Sequence, residues 1–225
     1  MQPTLFITGT DTGAGKTVLT ALLAQFLRGR GVRVAAFKPV CSGGRADARA
    51  LHTALAGALT LDEINPWHFR APLAPALAAR LEKKPLSLAP IRDHIRALQK
   101  KFTVTLVEGA GGLLSPLGEH FDSRDLIAAL RATPIIVAPN QLGTVNHLRL
   151  TLEALPKKLR AQARVVLMSP AKPDAATATN AVLLGEFFAR ERIFTLPRFR
   201  RGFSATEALK NPAVKRTLTA LTRPD

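Results

Sequence analysis

The sequence predicts a doubly wound α/β fold, a mainly parallel sheet with helices on both faces, in a single domain spanning residues 1–225. Three observations predict it. Apolar runs of strand length alternate with longer helix-compatible segments along the chain. The runs are almost continuously apolar, as parallel strands buried on both faces are, rather than alternating. The first run, Thr4–Thr8, leads through Gly9-Thr-Asp-Thr-Gly-Ala-Gly-Lys-Thr17 directly into a helix-compatible segment. That order of strand, glycine-rich turn, Gly-Lys-Thr and helix is the signature of a phosphate-binding loop.

The expected strands are Thr4–Thr8, Arg33–Phe37, Thr103–Val107, Pro134–Ala138, Arg164–Met168 and Ile193–Leu196. The expected helices are Lys16–Arg28, Ala46–Ala56, Ser87–Gln99, Ser123–Leu130, Val145–Leu155, Thr177–Arg190 and Ser204–Leu221. Right-handed β-α-β crossovers then place the carboxyl ends of all strands at one edge, where ligands of such sheets bind. The chemistry is expected just after Thr8, Phe37, Val107 and Ala138.

In the phosphate loop, glycines let the backbone curl so that several N–H groups converge on the phosphates, and the helix N-terminus adds partial positive charge. Lys16 reaches the outer phosphates and the Thr17 hydroxyl is placed for Mg²⁺. Five residues, rather than the usual four, separate Gly9 from Gly15. After the second strand comes Lys38-Pro-Val-Cys-Ser-Gly-Gly44. A lysine there can neutralise charge developing on a transferring phosphoryl group or a second anionic substrate. Ser42, on a flexible Gly-rich loop, can orient a polar substrate. Cys41 is read as a small apolar residue without a role. After the third strand, Glu108-Gly-Ala-Gly-Gly112 offers an acid suited to Mg²⁺ or its waters, and the glycines leave room for a substrate to approach the backbone. Asp47 is either a second acid of the site or a helix N-terminal acid that favours the dipole. The segment from Asn140 to His147 enters a helix near Gly143, whose free N–H groups can bind a carboxylate. Asn146 is a polar contact or a plain helix-face residue, and His147 reads as a satisfied structural histidine. His52, His68, His94 and His120 show no metal-ligand spacing, so no histidine metal site is expected.

Composition bounds the reading. The chain is 47% hydrophobic, and Cys41 is the only cysteine, excluding an internal disulfide and a cysteine-based zinc cluster. No apolar run reaches the roughly 18 residues that cross a bilayer, and Met1-Gln-Pro-Thr lacks a charged n-region. A cytoplasmic protein with no membrane association is expected. Lys and Arg total 32 against 16 Asp and Glu, a net charge of +16. That excess raises the question of nucleic acid. The basic pairs are dispersed (Arg28 and Arg30, Lys83 and Lys84, Lys100 and Lys101, Lys157 and Lys158, then Arg198, Arg200 and Arg201), with one Trp and no Tyr. A solvated basic surface is the expectation, and nucleic acid is not expected as a partner.

Together, Gly9–Thr17, Lys38-Pro-Val-Cys-Ser-Gly43, Asp47-Ala48, Asn65-Pro66, Val107-Glu-Gly-Ala-Gly-Gly112 and Leu142-Gly143 with Asn146-His147 resemble the dethiobiotin synthetase family. The five-residue gap in the phosphate loop is a feature of that family. The resemblance covers about Thr4 to His147. It implies a phosphate-loop NTPase fold and a homodimer in which 7,8-diaminopelargonic acid, CO₂ and ATP give dethiobiotin, ADP and phosphate, with Mg²⁺ as cofactor. It also implies nucleotide contacts from Gly13, Ala14, Gly15, Lys16, Thr17, Val18, Asp47, Glu108, Gly109, Ala110, Gly111 and Pro197. Catalysis would rest on Lys16 and Lys38. Metal contacts would come from Thr17, Asp47 and Glu108, and substrate contacts from Thr12, Lys38, Ser42, Gly143 and Asn146. Several positions depart from the family pattern. Gly13 stands where many relatives have Glu, Gln141 where Lys is usual, Ala76 where His often follows, and Ser169 where an adenine-binding Asn is expected. Two alternatives compete: a cobyrinate-amidating ligase, whose glutaminase domain 225 residues do not accommodate, and a partition-type ATPase using a basic surface. Asp11 and Thr12 stand where the latter usually carries an additional lysine.

Overall fold

The computed structural model describes residues 2–199 and 204–223, so Arg200 and Arg201 of the basic series lie outside the described residues. The elements, in chain order, are β1 (Thr4–Gly9), α1 (Lys16–Arg28), β2 (Val34–Phe37), β3 (Val40–Ser42), α2 (Ala46–Leu55), α3 (Leu61–Ile64) and β4 (Trp67–Phe69). They continue with α4 (Pro75–Leu81), α5 (Leu88–Gln99), β5 (Val104–Glu108), α6 (Ser123–Leu130), β6 (Thr133–Pro139), α7 (Thr144–Glu153) and α8 (Lys157–Gln162). The last are β7 (Arg164–Met168), α9 (Ala175–Leu184), a 3₁₀ turn at Arg190–Arg192, β8 (Ile193–Leu196), α10 (Ala205–Ala208) and α11 (Pro212–Leu221).

Six strands form one sheet in the order β2-β5-β1-β6-β7-β8, every neighbouring pair parallel. The expected doubly wound class is therefore what forms. From β1 the chain crosses to β2 in one direction and from β5 to β6 in the other. Right-handed crossovers then place α1 and α6 on opposite faces. Phe6, Ile7, Leu106, Val107, Ile135 and Ile136 are buried at the centre of the sheet, which explains their unbroken apolarity.

Three expectations are corrected. The helix over Ser204–Leu221 is two helices: Asn211 caps α11 by accepting from Ala213 N (2.9 Å), and Pro212 occupies its first turn. An Asn-Pro pair begins a helix and does not continue one. The helix over Thr177–Arg190 starts earlier, at Ala175, because Asp174 and Thr177 form a reciprocal capping box, and it ends at Leu184. The stretch after Lys38, read as loop, holds β3, which pairs in parallel with β4 in a separate two-stranded sheet.

That small sheet rests on Asn65, which is fully buried. Its amide donates to Lys38 O (2.7 Å) and Trp67 O (3.3 Å), and its carbonyl accepts from Arg45 Nε (3.0 Å). Asn65 thereby ties the chain on either side of Pro39 to the chain entering β4. Asn65→Leu keeps the volume but leaves these groups unpaired, each costing roughly 1–3 kcal/mol. A loss of about 2–4 kcal/mol in urea-unfolding stability is expected, with Asn65→Ala no less damaging.

Candidate functional site

Strand order decides which loops meet. β1 lies between β5 and β6, and β2 lies beyond β5. The ends of β1, β5 and β2 therefore bring the phosphate loop, Glu108 and Lys38 side by side.

The phosphate loop has the expected curl. Gly13 and Gly15 have φ of 74° and 103°, a region that side chains with a Cβ avoid. A Cβ on Gly13 would point into open space, whereas one on Gly15 would meet Met168 at 3.1 Å. Gly15 is thus needed for both conformation and packing, and Gly13 for conformation alone. Ala14 is buried, Val18 half-buried and Thr12 exposed at the tip. Lys16 folds back over the loop and donates to Asp11 O (2.9 Å). Burial, reinforced by the nearby Lys38 charge, lowers its pKa to about 8.

Lys38 is 3% exposed, which excludes a surface lysine beside a Pro turn. Its ammonium donates to Glu108 Oε1 (2.7 Å) and Gly109 O (2.9 Å) and lies 3.0 Å from Asp47 Oδ2. Burial opposes its charge, but Glu108 and Asp47 outweigh burial and hold its pKa above the ordinary lysine value. Burial alone would raise the Asp47 pKa; Lys38 and Thr17 bring it below the ordinary value. Asp47 also sits in the first turn of α2, where an acid favours the helix dipole. Thr17 Oγ1 donates to the same Glu108 Oε1 (2.7 Å). Lys16, Thr17, Lys38, Asp47 and Glu108 thus form one electrostatic cluster.

Glu108 Oε2 is buried and has no hydrogen-bond partner among the described residues. An unsatisfied carboxylate oxygen beside a threonine hydroxyl and a second carboxylate fits a hard, oxygen-seeking cation. No group of three or more His, Cys, Asp or Glu side chains suited to a metal occurs among the described residues. This donor set therefore suits Mg²⁺ completed by phosphate oxygens and water rather than an all-protein cage.

Other expected residues change meaning. Ser42 is not on a flexible loop: it ends β3, in register with Phe69 of β4. At the glycines after Glu108, the space a side chain would take is filled by neighbouring segments of the chain. A Cβ on Gly109 would meet Ser123 Oγ at 3.0 Å, one on Gly111 would meet Ser115 Oγ at 2.3 Å, and one on Gly112 would meet Thr10 O at 3.0 Å. They let the loop after β5 lie against the phosphate loop, with Ala110 between them half-buried. Cys41 is buried, and burial pushes its thiol up to about 11, consistent with an inert residue. His147 is exposed, so it is no satisfied core histidine. Gly143 caps α7 with φ 89°, and both it and Asn146 are exposed. Among the described residues, no hydrogen bond or ion pair joins either to the Lys38 cluster within one subunit. Ser169 N donates to Leu196 O (2.9 Å), which places Ser169 beside Pro197 at the adjoining ends of β7 and β8.

Sequence reasoning missed one network. Asn140 Nδ2 donates to Thr177 O (3.1 Å), and Asn180 Nδ2 donates to Asn140 Oδ1 (2.9 Å) and Gln141 O (3.0 Å). These contacts fasten the loop before α7 to α9. Their partners stand about forty positions apart, and no local pattern marks them.

Against this geometry, comparisons with known proteins are specific. A family model described as an AAA domain matches residues 3–200. The ATP-dependent dethiobiotin synthetase BioD of Anaeromyxobacter sp. (strain Fw109-5) is 45% identical over 201 residues, covering 87% of this chain and 90% of the relative. The chain belongs to the dethiobiotin synthetase family. The BioD of Methanocaldococcus jannaschii is 41% identical over 158 residues, 68% of this chain and 74% of that protein. Among solved structures, a ParA family ATPase from Chlorobium tepidum TLS superposes with a TM-score of 0.62 at 12% identity, covering 99% of this chain and 100% of that one. The MinC:MinD cell division complex of Aquifex aeolicus gives 0.61 at 13% identity, covering 99% and 96%. At that identity the likeness is one of fold, and it bears out the phosphate-loop NTPase architecture.

The lowered Lys16 pKa carries a sign. A triphosphate favours the charged ammonium, so the bound pKa lies above the free value of about 8. Nucleotide binding is expected to take up a proton as pH rises above about 8 and to weaken as pH rises further. Calorimetry in buffers of different ionisation enthalpy measures the uptake, and Lys16→Met removes it. Equal proton release at every pH would contradict the assignment.

Proposed function

We propose that this chain is an ATP-dependent dethiobiotin synthetase that carboxylates 7,8-diaminopelargonic acid and closes the ureido ring, acting as a cytoplasmic homodimer. The observation that supports this most is Lys38, a buried ammonium kept charged beside a phosphate loop, in a chain of this family. The chemistry demands such a group. One amine attacks CO₂ and loses a proton, giving a carbamate anion that must approach an anionic γ-phosphate. A carbamate oxygen then attacks the γ-phosphorus, the bond to the bridging oxygen breaks and ADP leaves. The second amine attacks the carbonyl of the mixed anhydride, phosphate departs and the ring closes with loss of a proton.

In this reading Lys16 holds the outer phosphates and Lys38 lies between carbamate and γ-phosphate, where preorganised charge stabilises the transfer. Thr17, Asp47 and Glu108 hold Mg²⁺, directly or through water. The bound ion would neutralise phosphate charge and fix its geometry. Thr12 and Ser42 orient the diamine end. The substrate carboxylate meets the α7 N-terminus near Gly143–Asn146, supplied by the partner subunit. Support for the last point is that these residues are exposed and unlinked to the Lys38 cluster within one subunit. The base lies near Ser169 and Pro197, where a serine hydroxyl replaces the carboxamide expected for adenine.

Lys38→Met is expected to abolish dethiobiotin formation, followed by mass spectrometry with bicarbonate and Mg²⁺, while nucleotide binding survives. It also strands a buried carboxylate, which costs about 3–5 kcal/mol. The double variant Lys38→Met/Glu108→Gln removes that charge, so it is expected to regain stability without regaining activity. Wild-type turnover by either variant would refute the role. Running the wild type with ATP, CTP and GTP separately identifies the triphosphate used. No product with any of them, despite nucleotide binding, would refute the function.

A further inference from the structure

We propose that the edge of the sheet opposite the phosphate loop is a binding surface for the phosphate backbone of nucleic acid. All six strands of the main sheet run in one direction, so the connections entering them gather at their amino ends. Arg30 and Arg33 precede β2, Lys100 and Lys101 precede β5, Arg131 precedes β6, and Lys157 and Lys158 lie in the connection to β7. All seven are exposed. None of them pairs with a carboxylate among the described residues. No Asp or Glu occurs in 28–34, 99–104, 130–133 or 154–164. The β8 end differs, because Glu186 and Glu191 stand beside Arg190 and Arg192. A row of exposed cations without ion-pair partners among the described residues therefore runs from β2 to β7, although Glu63 of α3 feels the charge of Lys101.

Helix macrodipoles account for part of this row. Lys100 and Arg131 are C-caps of α5 and α6, where cations are favourable. Arg30, Arg33 and Lys101 lie beyond the helix ends. Lys157 and Lys158 open α8, at the end where the macrodipole opposes positive charge. Mutual repulsion along the row also works against the folded state, so a bound polyanion is what would offset it.

The row's shape selects the ligand. Strand neighbours lie about 4.8 Å apart, so the four spacings of β2-β5-β1-β6-β7 extend for about 19 Å. Duplex nucleic acid presents a charge about every 1.7 Å, a linear match to a linear row. The cation-bearing connections expose no large apolar side chain that would insert into a lipid surface: the exposed large hydrophobics lie elsewhere, in α4, α7, α9 and the loops at Leu73, Leu114, Leu142 and Phe187. Nothing in this reading depends on the activity proposed for the opposite edge.

Fluorescence anisotropy with a labelled mixed-sequence DNA duplex of about 30 base pairs tests it. Binding is expected at about 0.15 M salt, with log affinity falling against log salt at a slope of about −6 for seven neutralised phosphates. Arg33→Glu/Lys100→Glu/Lys101→Glu/Lys158→Glu is expected to weaken binding at least about 30-fold and to halve the slope. Arg49→Glu/Arg70→Glu/Lys83→Glu/Lys172→Glu changes net charge equally on other surfaces and is expected to weaken binding less than about 5-fold. Thermal melts verify that both variants fold. Equal weakening in the two variants would assign the effect to bulk charge and overturn the proposal. So would no wild-type binding at that salt, or preferential capture by phosphatidylserine vesicles in competition with the duplex.

Discussion

An ammonium withdrawn from water normally gives up its proton, yet Lys38 remains charged because Glu108 and Asp47 lie within 3.0 Å of it. That compensation shapes the surrounding structure. Glu108 must end β5, Lys38 must follow β2, and β2 and β5 must be neighbours in the sheet. Asn65 holds the carbonyl of Lys38 itself, so the lysine backbone is fixed from one side and its head from the other. A buried ion pair contributes little net stability. Its value is positional: the cation is held beside the phosphate loop and away from solvent.

The phosphate loop is supported by packing as much as by its own glycines. Met168 from β7 lies over Gly15, and the loop after β5 lies against Thr10. Glycines on both sides of this contact are favoured because a Cβ there would come within about 3 Å of Met168 or Thr10 O. The site is consequently a junction of three strand ends, and its chemistry is distributed over segments that none of the separate loops completes. The Asn140–Asn180 pair extends the same principle across the sheet, fixing the start of α7 to α9.

Charge is divided along the strand direction. At the carboxyl ends Asp11, Asp47, Glu108 and Asp174 follow or end their strands, beside Lys16 and Lys38. The amino ends carry a row of exposed cations without ion-pair partners among the described residues. A parallel sheet makes such polarity possible, because every strand start shares one edge and every strand end the other.

By itself the sequence determined the strand runs, the phosphate loop and the identities of Lys38, Asp47 and Glu108, since periodicity, glycine spacing and acid or base type are local properties. Asp174-Ala-Ala-Thr177 and Asn211-Pro212 carry local helix-start signals that the expected helices over Thr177–Arg190 and Ser204–Leu221 passed over. Tertiary structure alone decided the rest. Ser42 became a strand residue because β4, more than twenty positions later, pairs with it. Gly109, Gly111 and Gly112 turned out to serve loop packing because Ser115, Ser123 and Thr10 occupy the space beside them. Arg30, Lys100, Lys101, Lys157 and Lys158 look dispersed along the chain, and only parallel strand order collects them at one edge. Each of these depends on contacts between segments distant in sequence, which no local pattern encodes.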